Sequence, residues 1–128
     1  PDAIVAAARE IAETTDVKAI CCYTQSGTTA LLTARERPRV PIIAMTSEIG
    51  TSRRLALSWG INCVRSGPKE RFKEAVVSAV RAALSQGFAE ENDQVVVTAG
   101  VPFNIPGTTN ILRVAPCNER MIYSTDPE

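Results

Sequence analysis

The sequence predicts an α/β fold: a three-layer α/β/α sandwich around a five-stranded, mostly parallel sheet. Short continuous apolar runs alternate with segments in which apolar residues recur every three or four positions. This pattern is typical of parallel strands whose two faces are covered by helices. The last connection, over 99–109, contains no helix-length segment, so the fifth strand is expected to run antiparallel to the fourth. We expect the strand order 3-2-1-4-5.

A stripe of apolar residues at helical spacing between Ile4 and Ala12 predicts the first helix. The apolar run 19–23 follows it and has the character of a buried strand. The second helix is expected over 30–35. It should end before Pro38, because proline disfavours helical geometry in the residue that precedes it.

The middle of the chain repeats this alternation. Apolar runs at 41–45 and 61–64 predict the second and third strands. Between them, either Thr46 or Ser47 is a suitable N-terminal cap for a third helix. That helix is expected to reach Trp59, a residue that we expect in the core or at an interface rather than as a stacking platform.

The fourth helix has the most regular pattern in the sequence. Its apolar residues recur at steps of three and four from Phe72 to Leu84, and Gly87 is a natural stop. The apolar run 94–98 predicts the fourth strand, and the alternating segment 110–115 predicts the fifth.

Length and composition indicate one domain, which we place at 1–116, with a tail of unknown role at 117–128. The chain has 128 residues, 45% of them hydrophobic, and its 14 basic residues balance 14 acidic ones. That balance does not indicate a nucleic-acid or membrane partner, and no apolar run approaches the roughly 20 residues that cross a bilayer. With no signal peptide visible, we expect a cytoplasmic protein.

The residue types argue against catalysis within the chain. It has no histidine, which removes the commonest general base and the usual nucleophile pairs. None of its four cysteines lies in a C-x-x-C pair, so we expect no metal site, and the adjacent Cys21 and Cys22 should be small buried residues. No nucleophile lies beside a base, so we expect no catalytic residue and a module that binds a phosphorylated metabolite.

A hydroxyl-rich loop between the first strand and the second helix is the main candidate site. The first N–H groups of a helix lack internal partners, and the helix dipole adds positive charge there, so the position favours an anion. The residues could equally form an ordinary capped turn, because Ser and Thr are common caps and the lysine of a P-loop is missing. The candidate phosphate-binding residues are Thr24, Ser26, Gly27, Thr28 and Thr29.

A second loop, after the fourth strand, is expected to face the same crevice. Ligands of open α/β sheets collect beyond the carboxyl ends of the strands, near the point where strand order reverses. There, Gly107 with Thr108 and Thr109 offers backbone and hydroxyl donors, although an ordinary loop before an edge strand has the same composition. Arg53 or Arg54 could reach a phosphate if the third helix begins beside the crevice.

Several motifs in order resemble the C-terminal domain of pyruvate kinase in its bacterial form, over about 2–115. They are TQSGTTA after the first strand, RERPRVPIIAMT around the second, L-x-W-G-I before the third, and VVVTAGVPFNIPGTTNILRV at the end. In that family the active site lies in a separate barrel and a lid domain. The resemblance therefore implies Mg²⁺, K⁺ and ADP for an intact enzyme only, with no cofactor in this chain, which alone should be inactive.

The resemblance also implies an allosteric role, a subunit interface in a homo-oligomer, and a barrel domain as partner. The effector phosphate carries over onto Thr24 and the Ser26–Thr29 run, and the effector loop onto Gly100, Pro106, Gly107 and Thr108. Here 66–69 leads straight into the fourth helix without the Trp of the eukaryotic fructose-1,6-bisphosphate site. We therefore expect a sugar monophosphate or nucleotide monophosphate. A freestanding, non-catalytic domain that binds such a metabolite or a partner protein is the alternative.

Overall fold

The computed structural model describes residues 2–69, 71–100 and 110–120. Helices and strands alternate along these residues in the predicted order. The helices are α1 (Asp2–Thr14), α2 (Thr28–Arg35), α3 (Ile49–Ala56) and α4 (Phe72–Ser85). The strands are β1 (Ile20–Tyr23), β2 (Ile42–Thr46), β3 (Ile61–Arg65), β4 (Gln94–Ala99) and β5 (Ile111–Pro116).

The five strands form one sheet in the order β3-β2-β1-β4-β5, which confirms the predicted fold class. β1 pairs in parallel with β2 on one side and β4 on the other, so that Cys22 lies opposite both Ala44 and Thr98. β4 and β5 pair antiparallel, as expected for a connection too short to hold a crossover helix.

Helices cover both faces of the sheet, with α4 on one face and α1, α2 and α3 on the other. Cys21 and Tyr23 of β1 belong to the core cluster on the α4 face, whereas Ile20 and Cys22 belong to the cluster with α1, α2 and α3. This division follows from the two-residue period of a strand. All four residues of β1 are buried, because the strand is covered on both faces and paired on both edges.

The predicted bounds of α3 were wrong at both ends. Thr46 still belongs to β2, where it pairs with Arg65, and its Oγ1 accepts a hydrogen bond from the N–H of Glu48 at 3.1 Å. Glu48 is therefore the N-cap, rather than Thr46 or Ser47. At the other end the N–H of Leu57 donates to the carbonyl three residues back, which tightens the last turn and ends the helix well before Trp59.

Residues 117–119, at the start of the predicted tail, contact the rest of the domain. The buried Cys117 donates its N–H to the carbonyl of Asp93 at 2.7 Å, and the guanidinium of Arg81 pairs with Glu119. The rest of the predicted tail, 121–128, lies outside the described residues. Within 2–69, 71–100 and 110–120, no helix combines the length and apolar character needed to span a bilayer.

Candidate functional site

The turn between β1 and α2 depends on Gly27. This residue is the N-cap of α2 and has a left-handed backbone with φ of 87°. A Cβ on it would lie 3.3 Å from methyl groups of both Thr51 and Leu55. Glycine therefore serves two needs at this position, the positive φ and the close approach of the turn to α3.

Hydrogen bonds inside the turn use several of the predicted ligand groups. The buried Thr24 accepts the N–H of Gly27 on its Oγ1 at 2.9 Å. The N–H of Thr28 donates to the Oγ of Ser26 at 3.3 Å, and that Oγ donates to the Oγ1 of Thr28 at 3.1 Å. These bonds hold the shape of the turn without any ligand.

The five candidate residues of the turn consequently differ in access. Thr24 and Thr29 are only 7% and 5% exposed, and Gly27 is buried. Ser26 is half-buried and Thr28 is exposed. The hydroxyl groups of Ser26 and Thr28, rather than those of the two buried threonines, are thus the side-chain donors that an anion in solvent can reach.

The last turn of α3 adds a cation to the turn between β1 and α2. The guanidinium of Arg54 donates to the carbonyl of Ser26 at 2.8 Å and to the Oγ1 of Thr51 at 3.3 Å, while Thr51 donates to the carbonyl of Gln25. Of the two arginines left open by the sequence, Arg54 is the one beside the turn. Its partners here are uncharged, so its positive charge remains available to an anion.

An open cavity of about 390 Å³ lies between the turn and α3. It is lined by Gln25, Ser26, Glu48, Gly50, Thr51 and Arg54. The carboxylate of Glu48 opposes an anion on its side of the cavity, so the favourable position lies towards Ser26 and Arg54. The sequence did not predict that Thr51 and Glu48 line this cavity. The feature that could have indicated it is their position at the start of the helix that follows β2.

The second predicted loop is described only at its first residue. Gly100 follows β4 directly and is half-buried. Since Cys22 lies opposite Thr98, β1 and β4 end at the same edge of the sheet, and Gly100 and the turn leave from that edge. Pro106, Gly107 and Thr108 lie outside the described residues.

The buried titratable groups near β1 are held neutral. Burial raises the pKa of the Cys21 and Cys22 thiols, and it raises the pKa of Tyr23, whose hydroxyl donates to the carbonyl of Gly67 at 3.2 Å. In the part of the chain that the structure describes, no three His, Cys, Asp or Glu side chains group so as to hold a metal ion.

Comparison with known proteins gives concordant matches. A family model described as "Pyruvate kinase, alpha/beta domain" matches residues 2–115. A pyruvate kinase of Methylorubrum extorquens is 40% identical over 114 residues, which are 89% of this chain and 24% of the relative. One of Geobacillus stearothermophilus is 42% identical over 113 residues, or 88% of this chain and 19% of the relative.

A solved structure has the same architecture. The structure titled "Cryptosporidium parvum pyruvate kinase in complex with ADP" superposes with a TM-score of 0.81 at 27% sequence identity. The likeness covers 91% of this chain but 23% of that one. The chain thus spans a quarter or less of the length of these relatives.

Proposed function

The chain belongs to the pyruvate kinase family as its alpha/beta domain, and from that membership we propose that it regulates a pyruvate kinase by binding a phosphorylated effector at the turn between β1 and α2. The observation that carries the proposal is that Ser26 and Arg54 line one cavity and that Arg54 donates to the carbonyl of Ser26. The exposed Thr28, whose Oγ1 accepts a hydrogen bond from the Oγ of Ser26, begins α2 immediately beside them.

A phosphate dianion gains from each of these features. The helix terminus contributes about 0.3–1 kcal/mol when exposed and up to about 2 kcal/mol when partly buried. Hydrogen bonds to a charged acceptor add roughly 1.5–3 kcal/mol each, before entropy costs. These terms are consistent with micromolar to millimolar dissociation constants, a suitable range for sensing a metabolite.

The charges around the cavity favour a ligand with one phosphate. Among the described residues that line the cavity, Arg54 is the cation, and Glu48 carries the negative charge. A second phosphate in the same cavity would meet that carboxylate without a second cation to offset it. We therefore propose a sugar monophosphate or a nucleotide monophosphate rather than a bisphosphate.

The remaining roles follow from family membership. We propose that the intact enzyme is cytoplasmic, transfers a phosphoryl group from phosphoenolpyruvate to ADP, and forms a homo-oligomer to which this domain contributes an interface. The chain spans 24% of its Methylorubrum extorquens relative. The described residues have no metal-binding group, so we assign Mg²⁺ and K⁺ to the portion outside the match.

Calorimetric titration tests the effector site. Glucose 6-phosphate, ribose 5-phosphate, AMP and fructose 1,6-bisphosphate are titrated into the 128-residue chain. Ser26→Asp should weaken binding of the preferred ligand more than about tenfold, because a fixed carboxylate takes the same donors and repels the phosphate. Thr28→Ala should weaken binding only modestly, because other donors remain.

Ser85→Asp is the matched control, since Ser85 is exposed on α4, on the opposite face of the sheet. It adds the same charge and should leave affinity unchanged. If a ligand binds and Ser26→Asp leaves its affinity unchanged, the effector site lies elsewhere.

A further inference from the structure

A cavity of about 300 Å³, the α4 groove, lies between α4 and the edge strand β3. β3 pairs with β2 on one side, and no described strand pairs with its other side. Met45 of β2 lies opposite Val64 on the face of the sheet that α4 covers. Met45 is fully buried, and Val64, at the edge of the sheet, remains half-buried. With the buried Ala82 of α4, these side chains give the groove an apolar floor.

Arginine and serine side chains surround this floor. Arg65 comes from the last position of β3 and Arg81 from the middle of α4, and both are exposed. The lining also includes Ser66, Ser78 and Ser85. Two positive charges and three hydroxyl groups therefore border one apolar surface. This combination suits an anion that has an apolar body.

Arg81 already holds a carboxylate in this structure. Its guanidinium donates to both oxygens of Glu119, from Nε to Oε1 and from Nη2 to Oε2, the second at 3.3 Å. The hydrogen bond to Arg81 also lowers the pKa of Glu119. Two parallel bonds of this kind are how arginine recognises a carboxylate. The Arg81 side chain is 67% exposed, and ion pairs in such positions are weak, so a carboxylate from solution can compete with Glu119.

Arg65 gives the groove a second cation. Within 2–69, 71–100 and 110–120 it forms no ion pair. The cavity at the turn differs in this respect, because there Glu48 accompanies Arg54. A second carboxylate on a ligand would therefore meet a positive charge in the α4 groove.

We propose that the α4 groove binds a small aliphatic dicarboxylate, with one carboxylate on Arg81 and the other on Arg65. Its carbon chain lies on the apolar floor, where burial of apolar surface is favourable. A phosphate monoester fits less well, because it carries both negative charges on one group. The groove shares no lining residue with the cavity at the turn, so it is a second site.

Calorimetric titration of the 128-residue chain with succinate, glutarate and butyrate tests the proposal. Butyrate has the four carbons of succinate and one carboxylate. The better dicarboxylate should bind at least about tenfold more tightly than butyrate, because it alone meets both arginines. Arg65→Gln should reduce its affinity to about that of butyrate. Arg53→Gln removes an equally exposed charge on α3, outside the groove, and should leave the affinity unchanged.

Glu119 provides a test in the opposite direction. Glu119→Gln removes the competing carboxylate from Arg81 and should tighten dicarboxylate binding by roughly threefold to fivefold. A purely structural role of this ion pair predicts no such gain. Glu91→Gln is the matched control, because Glu91 is exposed in the turn before β4 and lines no part of the groove. It should leave the affinity unchanged.

Two aspartate substitutions separate this site from the effector site. Ser85→Asp puts a carboxylate on the rim of the groove and should weaken dicarboxylate binding roughly fivefold, with phosphate-ester binding unchanged. Ser26→Asp should do the reverse. Equal affinity for dicarboxylates and butyrate, or dicarboxylate binding that Arg65→Gln leaves intact, overturns this proposal and not the effector site. Dicarboxylate binding that is lost in Ser26→Asp also overturns it, because the ligand would then lie at the turn.

Discussion

At the scale of single residues, Gly27 couples the candidate site to the core. Its positive φ lets the chain turn sharply from β1 into α2, and its missing side chain lets the turn lie against Thr51 and Leu55. Arg54 then reaches the carbonyl of Ser26 from the same helix. The geometry of the site therefore depends on a backbone position that cannot contact a ligand through a side chain.

Gly27→Ala should lower the free energy of unfolding more than Gly87→Ala. Both glycines have positive φ, 87° and 76°, so alanine costs about 1–2 kcal/mol at either position. Only at Gly27 would the new Cβ meet neighbours at 3.3 Å, which adds about 1 kcal/mol or more of overpacking. Urea denaturation of the two variants measures the difference, and equal losses would contradict the contact.

Stability should fall in alkaline solution because of the buried thiols. Burial, with a smaller contribution from Asp93, raises the pKa of Cys117 from 9.0 to about 11. Between these values the unfolded chain has lost a proton that the folded chain retains. The free energy of unfolding therefore decreases as pH rises from 9.0 to about 11, by at most about 1.4 kcal/mol per pH unit for each thiol.

Urea denaturation across this range should show a shallower decrease for Cys117→Ala than for the unmodified chain. A slope that Cys117→Ala leaves unchanged would assign the effect to other groups.

The sequence identified the candidate turn but could not rank its hydroxyl groups. A loop has no periodicity that separates inward from outward positions, so the sequence does not distinguish Thr24, Thr28 and Thr29. In the structure Thr24 bonds the N–H of Gly27, Thr29 is buried, and Thr28 faces solvent. The choice of Arg54 over Arg53 also required the orientation of α3 relative to the turn.

At the scale of elements, β5 is an edge strand with an open side. It pairs with β4 along Ile111–Pro116, and no described strand pairs with its outer side. Four of its six residues, 111–114, are partly buried hydrophobic or cationic residues rather than a run of charges. Edge strands of this kind are templates for pairing with another chain.

Ile111→Lys should weaken self-association of the chain. When β5 pairs with a second copy, the lysine replaces an apolar contact of Ile111 and places a charge in the pairing edge, which disfavours strand-to-strand association. Ile111 is half-buried, so the fold should tolerate the change. Sedimentation equilibrium over a concentration series measures the effect, with Leu84→Lys on α4 as the control that should leave association unchanged.

Only monomer at high concentration would count against this interface. Association that Ile111→Lys leaves intact would place the contact on another surface.

At the scale of the whole molecule, the sequences of the strands indicate which of them lie inside the sheet, and this made the strand order predictable. β1, β2 and most of β4 are continuous buried apolar runs, as interior parallel strands require, and a short connection forces β5 to lie antiparallel beside β4. The end of α3 was not predictable, because Leu57 and Trp59 continue an apolar pattern that the folded domain leaves in solvent. An apolar pattern indicates that a surface is buried, but it does not show whether the same domain or another one covers that surface.

The isolated chain should not convert phosphoenolpyruvate and ADP into pyruvate and ATP. It has no histidine, its thiols on β1 are held neutral by burial, and its described residues have no metal-binding group. A coupled assay with lactate dehydrogenase measures pyruvate formation, with full-length Methylorubrum extorquens pyruvate kinase as the positive control. Turnover that co-purifies with the chain would refute the expectation.

The position of β1 at the centre of the sheet has a consequence during synthesis on the ribosome. Its first neighbour in the sheet, β2, follows it closely in the sequence and places Ile42 opposite Ile20. Its second neighbour, β4, is synthesised much later and places Val96 opposite the same residue. Until β4 emerges, we expect β1 to be an edge strand, so that the backbone of the apolar segment Ile20–Tyr23 lacks a partner on one side. That interval is when the nascent chain most exposes an aggregation-prone edge, and it closes when β4 pairs with β1.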